Sequence, residues 1–379
     1  MNFTLAGPVC PLGPMFAAMD ARAGLDFWGL TRHYAMQSRR FGGAVPEHLQ
    51  SHFLALRPRL FNSDAFWDYW QQMALPASYE QSVILHETRF TPYFAAKGYI
   101  WDTYVNTDDL CGVFVNPIMA CPAELLQKRD CPFFKRRSLF TPYADELRRT
   151  DGCAAGELYR YVKAHTEFPV DLLLASLLQT QPMAALAKNL HWNYVIAEPA
   201  AEVPDLAALG LRLLRYTLPA ADPVTDWYNK KASADADALL GRAAQLFEKK
   251  SLLGVLSPAL PLWQGCAAAR RTQWQRDAEI LAEKAAVPVG SDPLPAPNCG
   301  WLLVREASFL DGIPPCTTQR DAWQLALTAQ AAGYYAAAFE TAAQAAARAD
   351  VLDVYEADAA RPAAVAKHLG RLIKHKLQK

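Results

Sequence analysis

The sequence lacks the features that send a chain into or across a membrane. It contains no run of about 18 apolar residues, the length that spans a bilayer. No Lys or Arg precedes Arg22, and Pro8, Pro11 and Pro14 interrupt the apolar start, so the regions of a secretory signal are missing. We therefore predict a cytoplasmic protein.

Net charge and the common site patterns are absent as well. The chain has 38 basic and 38 acidic residues, and this balance gives no electrostatic footprint for nucleic acid, so we predict no nucleic-acid partner. The eight cysteines never stand at CxxC spacing, which argues against a cysteine zinc site and predicts reduced thiols. The patterns GxSxG, HExxH and the P-loop are missing too, which leaves little support for an unrelated hydrolase.

The amino-acid composition changes about half-way along the chain. Residues up to about 198 are rich in aromatic, His and polar clusters, whereas later residues are rich in Ala and Leu. The later helix-forming runs include residues 234–250 and 322–349. The Pro- and Ala-rich stretch Ala197–Asp205 therefore predicts a boundary between domains 1–198 and 199–379.

Two short apolar segments in the first half predict buried strands, DFWGL from residue 26 and SHFLALR from residue 51. Polar residues stand at the start of each segment. Asp26 begins the first, while Glu47, His48 and Gln50 come just before the second. Since α/β folds present ligand-facing groups at strand ends, these four side chains are candidates for binding or catalysis.

The segment from Ser78 to Gly98 predicts a helix with a break. Ser78 begins a capping box, the Thr91–Pro92 pair predicts a kink with a new helix start, and Gly98 fits the position after a helix end. His86 and Glu87 then lie near the end of the first piece, where an imidazole beside a carboxylate suits a general-base pair. Spacing alone favours the simpler interpretation of two surface side chains on a capped helix.

A basic cluster and an aromatic helix complete the first half. Lys135, Arg136 and Arg137 follow a pair of phenylalanines, and guanidinium groups there suit a diphosphate, although a solvated run of charge is commoner. In NSDAFWDYWQQM, Trp67 and Trp70 are most simply core residues, with sugar stacking as the alternative.

The order of several segments carries more information than any one of them. In one direction over about 195 residues the chain contains NFTLAGPV, LDFWGLT, PEHLQSHF, FWDYW, SYEQSVILHETRFT, NPIMACPAELL, CPFFKRRSLF and NLHWNYVI. This series resembles the rhamnan synthesis protein F family, glycosyltransferase-like proteins of cell-surface polysaccharide assembly. The resemblance implies a GT-A type α/β fold, a nucleotide-sugar donor such as dTDP-rhamnose, and a glycan or lipid-linked glycan acceptor. We expect a mixed, mostly buried sheet flanked by helices in the first domain.

The resemblance also places the start of this chain. In that family the counterpart of NFTLAGPV follows a nucleotide-binding βαβ region, so Met1 is expected to lie inside the family's domain, with the donor-binding part missing. Many GT-A enzymes carry an acidic, metal-binding DxD motif at this point, where this chain has Asn2, Phe3 and Thr4. A requirement for Mg²⁺ or Mn²⁺ with the nucleotide sugar is therefore left open, with no metal ligand assigned.

The second half resembles a second glycosyltransferase-like region of longer members, in LFEKKSLLGVLSPALPLW and APNCGWLLVREASFL. At DWYNKKAS, Tyr228 and Asn229 replace the His and Asp of an HDKK motif, and an amide cannot bind a divalent cation as a carboxylate does. We therefore expect a smaller, helix-rich, degenerate α/β domain. The basic amphipathic segment from Lys367 to Lys376 predicts either a peripheral contact with an anionic membrane surface or an ordinary solvated helix.

The chemistry implied by the resemblance is transfer of a sugar to an acceptor hydroxyl, which needs a base and positive charge for the departing diphosphate. The first candidate for the base is Glu87, oriented by His86, and Asp26 is its competitor. The candidates for binding sugar hydroxyls are Glu47, His48 and Gln50. The candidates for neutralising the diphosphate are Lys135, Arg136 and Arg137. The competing hypothesis is a non-catalytic homologue that acts as a subunit beside a complete glycosyltransferase.

Overall fold

The computed structural model describes residues 4–41, 43–197 and 202–349. Asn2, Phe3 and the predicted basic helix at 367–376 lie outside the described residues. The chain forms two compact units, Met1–Val170 and Asp171–Lys379. This division comes earlier in the chain than the predicted boundary, because the strand Asn193–Ile196 belongs to the sheet of the second unit. Both units contain helices and strands, which confirms the α/β class.

The first unit is built from short elements. Its strands are β1 (Leu5–Ala6), β2 (Phe27–Gly29), β3 (Arg32–His33), β4 (Met36–Ser38), β5 (Gly43–Val45), β6 (His48–Leu49), β7 (Leu54–Leu56), β8 (Trp101–Thr103) and β9 (Phe134–Lys135). Its helices are α1 (Gly13–Asp20), α2 (Pro58–Phe61), α3 (Asp64–Gln71), α4 (Tyr79–Ser82), α5 (Thr88–Ala95), α6 (Pro117–Ala120), α7 (Pro122–Lys128), α8 (Tyr143–Glu146) and α9 (Ala154–His165). A π-helical turn, Val83–Glu87, joins α4 to α5.

The main sheet of the first unit has three strands in the order β7-β2-β8. β2 runs parallel to β8 and antiparallel to β7, so each of the two predicted apolar segments supplies one strand, as expected. The pairs β1–β9, β3–β6 and β4–β5 are separate antiparallel ribbons. An aromatic-rich core contains Phe27, Leu49, Leu60, Phe66, Phe90 and Phe94.

The predicted break at Thr91–Pro92 does not occur, because α5 continues through Pro92 to Ala95. A proline inside a helix costs about 3 kcal/mol. Phe90 and Phe94 flank Pro92 and are both buried, and burying each such side chain stabilises the fold by roughly 1.5–3 kcal/mol. The free energy gained by packing these two rings therefore offsets the cost of the proline in the helix. The irregularity lies instead in the π-helical turn just before α5.

The second unit contains the larger sheet. Its helices are α10 (Val170–Thr180), α11 (Met183–Asn189), α12 (Pro223–Asp237), α13 (Leu240–Lys249), α14 (Gln264–Lys284) and α15 (Gln319–Ala331), with a further helix over 342–349. Its strands are β10 (Asn193–Ile196), β11 (Leu211–Arg215), β12 (Leu253–Pro258), β13 (Trp301–Arg305) and β14 (Tyr335–Thr341). In the described parts of both units, no helix is long and apolar enough to cross a membrane.

The five strands of this sheet lie in the order β10-β14-β12-β13-β11. β14 is parallel to β10 and β12, while β13 is antiparallel to both β12 and β11. Both units therefore contain a mixed sheet: the one predicted for the first domain is present there as three short strands, and the second unit has a larger one of five strands. A difference from the prediction concerns the Ala-rich run 322–349, which predicts one helix but contains α15, the strand β14 and then another helix.

Candidate functional site

The candidate site begins just after β2, where β3 pairs with β6 and places His33 opposite His48. The two imidazole rings stack with centroids 5.1 Å apart and planes 17° apart. Nδ1 of His33 donates to the carbonyl of Tyr34, and Nδ1 of His48 donates to the carbonyl of Pro46, both at 2.8 Å. Because a carbonyl only accepts, Nε2 is the acceptor nitrogen in each ring when it is neutral. Burial and the neighbouring His48 lower the pKa of His33 to about 4.

Glu87 faces this pair of rings from the π-helical turn, a kind of turn that is frequent at functional sites. Its Oε2 accepts hydrogen bonds from the backbone N–H of Ser51, at 3.3 Å, and from the Ser51 hydroxyl. Its Oε1 lies 3.8 Å from Nε2 of His48, which has no hydrogen-bond partner in the described structure. The His48 side chain is 1% exposed and that of Glu87 is 25% exposed, so a ligand reaches the carboxylate and not the imidazole.

Lys135 supplies the positive charge next to this carboxylate. Burial raises the pKa of Glu87, but contacts with His48 and Ser51, together with the charge of Lys135, outweigh burial and lower that pKa to about 2. Burial lowers the pKa of Lys135, and the charge of Glu87 partly restores it. We refer to Glu87, His48, Ser51, Lys135 and His33 as the Glu87 cluster.

A buried polar network follows Ser51 in the chain. The Thr31 hydroxyl donates to Oε1 of Gln50 at 2.8 Å and therefore accepts from Nε2 of His52 at 3.3 Å. The Gln50 amide donates in turn to Oδ1 of Asn116 at 3.2 Å. Burial holds the pKa of His52 well below its ordinary value. Gln50, predicted to hold a sugar hydroxyl, is 2% exposed and uses its amide inside this network.

Asp26, the competing candidate for the base, has partners of its own. It lies at the start of β2 and is 3% exposed. Its Oδ2 accepts from the backbone N–H of Ile100 at 2.7 Å and contacts the guanidinium of Arg59 at 2.5 Å. These contacts join the starts of two neighbouring strands, which gives Asp26 a structural role in this conformation.

The predicted pairing of Glu87 with His86 is replaced by the contact of Glu87 with His48. Consecutive residues on a helix point in different directions, and Nε2 of His86 donates instead to the carbonyl of Ala74 at 2.8 Å. Glu47, the remaining candidate before the second strand, is paired with Arg32 at 3.1 Å.

The basic cluster is divided between buried and exposed positions. Lys135 belongs to the Glu87 cluster, whereas Arg136 and Arg137 open the 3-10 turn that follows β9. Arg136 is half-buried and Arg137 is exposed. Neither guanidinium is in an ion pair with any residue that the structure describes. Both are thus available to an anionic ligand.

Sequence reasoning missed His33, Ser51 and His52. A signal for His52 was present in HLQSH, since alternate residues of an extended chain point to the same side and 48, 50 and 52 are all polar. Ser51 falls on the other side of that pattern. His33 had no comparable signal, because its importance depends on the pairing of β3 with β6.

No group of three or more His, Cys, Asp or Glu side chains in the described ranges is arranged to hold a metal ion. The sequence contains one Asp-x-Asp spacing, Asp235–Asp237, but it lies inside α12 and not at a strand end. Asp235 pairs with Lys231 and Asp237 pairs with Arg215, so both carboxylates are engaged.

Comparison with known proteins gives one match. A scan against protein-family models matches residues 1–207 to the family described as Rhamnan synthesis protein F. No curated protein and no solved structure matches. The matched range contains the whole Glu87 cluster.

Proposed function

Because this chain belongs to the rhamnan synthesis protein F family, we propose that it transfers a deoxyhexose from a nucleotide-diphospho-sugar to a glycan acceptor during rhamnan polysaccharide synthesis. The observation that carries this proposal is the Glu87 carboxylate, partly exposed, ionised and placed between Ser51 and buried His48. We take dTDP-rhamnose as the donor to test.

Glu87 alone is a weak general base. A group with a pKa of about 2 is fully ionised at pH 7 but binds a proton poorly, whereas an efficient base has a pKa close to the working pH. His48 lies next to it: its Nε2 has no partner among the described residues and is 3.8 Å from Glu87 Oε1. A proton taken up by Glu87 can therefore be shared with this ring nitrogen.

The proposed step moves one proton and one sugar. Glu87 accepts a hydrogen bond from the acceptor hydroxyl, and this bond orients the oxygen towards the anomeric carbon. As the new carbon–oxygen bond forms, the proton passes through Glu87 to the His48–Glu87 pair. The bond between the anomeric carbon and the diphosphate oxygen breaks, and the diphosphate leaves with the electron pair.

Positive charge for the leaving group comes from the basic residues that follow β9. Arg136 and Arg137 offer planar donors that match phosphate oxygens, and Lys135 adds an ammonium group beside Glu87. Stabilising charge as it develops on the diphosphate is usually a large share of such catalysis. We assign no step to Mg²⁺ or Mn²⁺.

The test combines donor binding with transfer. The purified chain is titrated with dTDP-rhamnose by calorimetry, with and without Mg²⁺ or Mn²⁺, and transfer to a rhamnose-terminated oligosaccharide is then measured. We expect Glu87→Gln to keep donor binding and to lower kcat by at least about 100-fold, the usual range for a lost acid–base group. The matched control is Glu157→Gln, at an exposed position on α9.

Two results would overturn the proposal. Near-normal transfer by Glu87→Gln removes Glu87 from the reaction. Absence of donor binding and of transfer in a chain shown to be folded supports instead a non-catalytic subunit that works beside a complete glycosyltransferase.

A further inference from the structure

The first unit contains a cleft that none of the roles above uses. It lies where the chain leaves the carboxyl end of β8, between residues 104–109 and the turn 128–130, and is a shallow, open depression with a volume of about 660 Å³. Binding sites for small ligands commonly enclose about 300–1,000 Å³. In sheets with parallel strands, ligands bind outside the carboxyl ends of those strands, and β8 is parallel to β2.

One wall of the cleft is fixed by Arg129. Its guanidinium holds both carboxylate oxygens of Asp109, at 2.6 and 2.9 Å, and also contacts Glu124 at 2.9 Å and the carbonyl of Asn106 at 2.9 Å. Such a two-pronged contact is geometrically rigid. Arg129 and Asp109 thus neutralise each other and give the cleft a preformed wall.

The other lining groups point to an uncharged, hydroxyl-rich ligand. Asp108, Lys128 and Asp130 are exposed, and the half-buried ring of Tyr104 adds a flat apolar surface. Lys128 and Asp130 form no ion pair with any described residue. Asp108 shares the guanidinium of Arg32 with Glu47 and Asp102, so carboxylates still outnumber cations around the cleft. This slight negative charge disfavours a nucleoside diphosphate, whereas the carboxylates accept hydrogen bonds from sugar hydroxyls.

We propose that this cleft binds the acceptor glycan, a neutral chain of deoxyhexose units. Its carboxylates accept hydrogen bonds from vicinal hydroxyls, Lys128 donates to ring or hydroxyl oxygens, and Tyr104 packs against the C–H face of a sugar. This inference rests on the proposed function only in calling the bound glycan an acceptor. The charges of the two regions support this assignment. The anionic donor is attracted to the basic residues after β9 and not to the slightly negative cleft.

A chain of contacts links the cleft with the Glu87 cluster. The guanidinium of Arg32 lies 3.5 Å from Asp108 in the cleft and 2.8 Å from Asp102 at the middle of β8. Arg32 and His33 together form β3, and His33 stacks on His48. Asp108 of the cleft thus contacts a residue that shares the short strand β3 with His33 of the candidate site.

The test uses a rhamnose trisaccharide as the probe and the full chain as the protein. Asp130→Asn is the main variant, because Asp130 has a left-handed backbone with φ of 52° and asparagine tolerates that conformation. Loss of a hydrogen bond to a charged group predicts about tenfold weaker trisaccharide binding by calorimetry. Asp68→Asn, at an exposed position on α3, is the matched control and should bind like the wild type.

The readouts separate this inference from the proposed reaction. Glu87→Gln should lose transfer but keep binding the trisaccharide, because the glutamine oxygen still accepts a hydrogen bond from a hydroxyl while it cannot take up the proton. Asp130→Asn should bind dTDP-rhamnose normally. Trisaccharide binding that is absent in the wild type, or unchanged in Asp130→Asn, overturns the cleft assignment. Donor binding that depends on Asp130 overturns it as well. Trisaccharide binding that depends on Asp130 in a chain without transfer activity supports the cleft and contradicts the proposed reaction.

Discussion

The low pKa of Glu87 makes the stability of the first unit depend on pH in a way that one substitution should remove. The pKa of this carboxyl is about 2 in the folded protein against 4.5 as its ordinary value. Because the folded-state pKa is depressed, ionised Glu87 stabilises the fold above pH 4.5, and this contribution is lost as the pH falls towards 2.

The size of the effect follows from the difference between the two pKa values. At about 1.4 kcal/mol for each pKa unit, the full contribution is about 3 kcal/mol. Integration between the two titrations predicts that about 2 kcal/mol of it disappears between pH 5 and pH 3. The Glu87 side chain is 25% exposed, so solvent screening leaves most of this contribution intact.

The assay is urea unfolding followed by tryptophan fluorescence at pH 6, 5, 4 and 3, for the wild type and for Glu87→Gln. Glutamine resembles the protonated acid, and every other titrating group is common to both proteins, so the difference in unfolding free energy isolates this carboxyl. We expect the wild type to be more stable at pH 6 and the difference to shrink by about 2 kcal/mol at pH 3. A difference that stays constant within about 0.5 kcal/mol would refute the assigned electrostatics. Glu157→Gln, at an exposed site, should show no such pH dependence.

Three further predictions concern residues away from the Glu87 cluster. Asp26→Asn should lower the unfolding free energy by about 1–3 kcal/mol, through weaker contacts with Arg59 and the Ile100 N–H, while calorimetric donor binding stays at the wild-type level. A loss of donor binding by a folded Asp26→Asn protein would return Asp26 to the site. Gly98→Ala should cost about 1 kcal/mol in urea unfolding, because Gly98 has φ of +82°, and an unchanged midpoint would contradict this. Ser78→Ala should cost about 1 kcal/mol by removing a helix cap, again measured by urea unfolding, with wild-type stability as the contrary result.

The parts of the first unit that follow from sequence are those with local causes. Ser78 caps α4 as predicted, and its hydroxyl accepts from the N–H of Gln81 at 3.2 Å. The Gln81 side chain accepts instead from the N–H of Ala77, so the predicted capping box forms only in part. Gly98 takes the left-handed conformation predicted for a residue after a helix. In both cases residues within one turn decide the conformation, so the pattern alone is enough.

The Glu87 cluster has no such local cause. Its members come from four separate segments, and their meeting depends on the pairing of β3 with β6 and of β1 with β9. The cluster also depends on the π-helical turn, which carries Glu87 and which no sequence pattern indicated. The sequence could name Glu87 as a candidate, but choosing His48 as its partner required the register of two strands.

The strand β14 shows most clearly why composition misled the prediction for the second unit. Alanine is the best helix former, and the run 322–349 is rich in it. Gly333, with φ of +86°, ends α15, and six of the seven residues of β14 are then buried between β10 and β12. Burying Tyr335 and Phe339 contributes roughly 3–6 kcal/mol, whereas strand propensities span only about 1 kcal/mol per residue. Steric constraints also favour small side chains here. A Cβ on Gly254 of β12 would lie only 2.7 Å from the Cβ of Tyr334, the residue just before β14. A sheet packed this closely is filled by small side chains, so the alanines that suggest a helix are also the residues that fit a buried central strand.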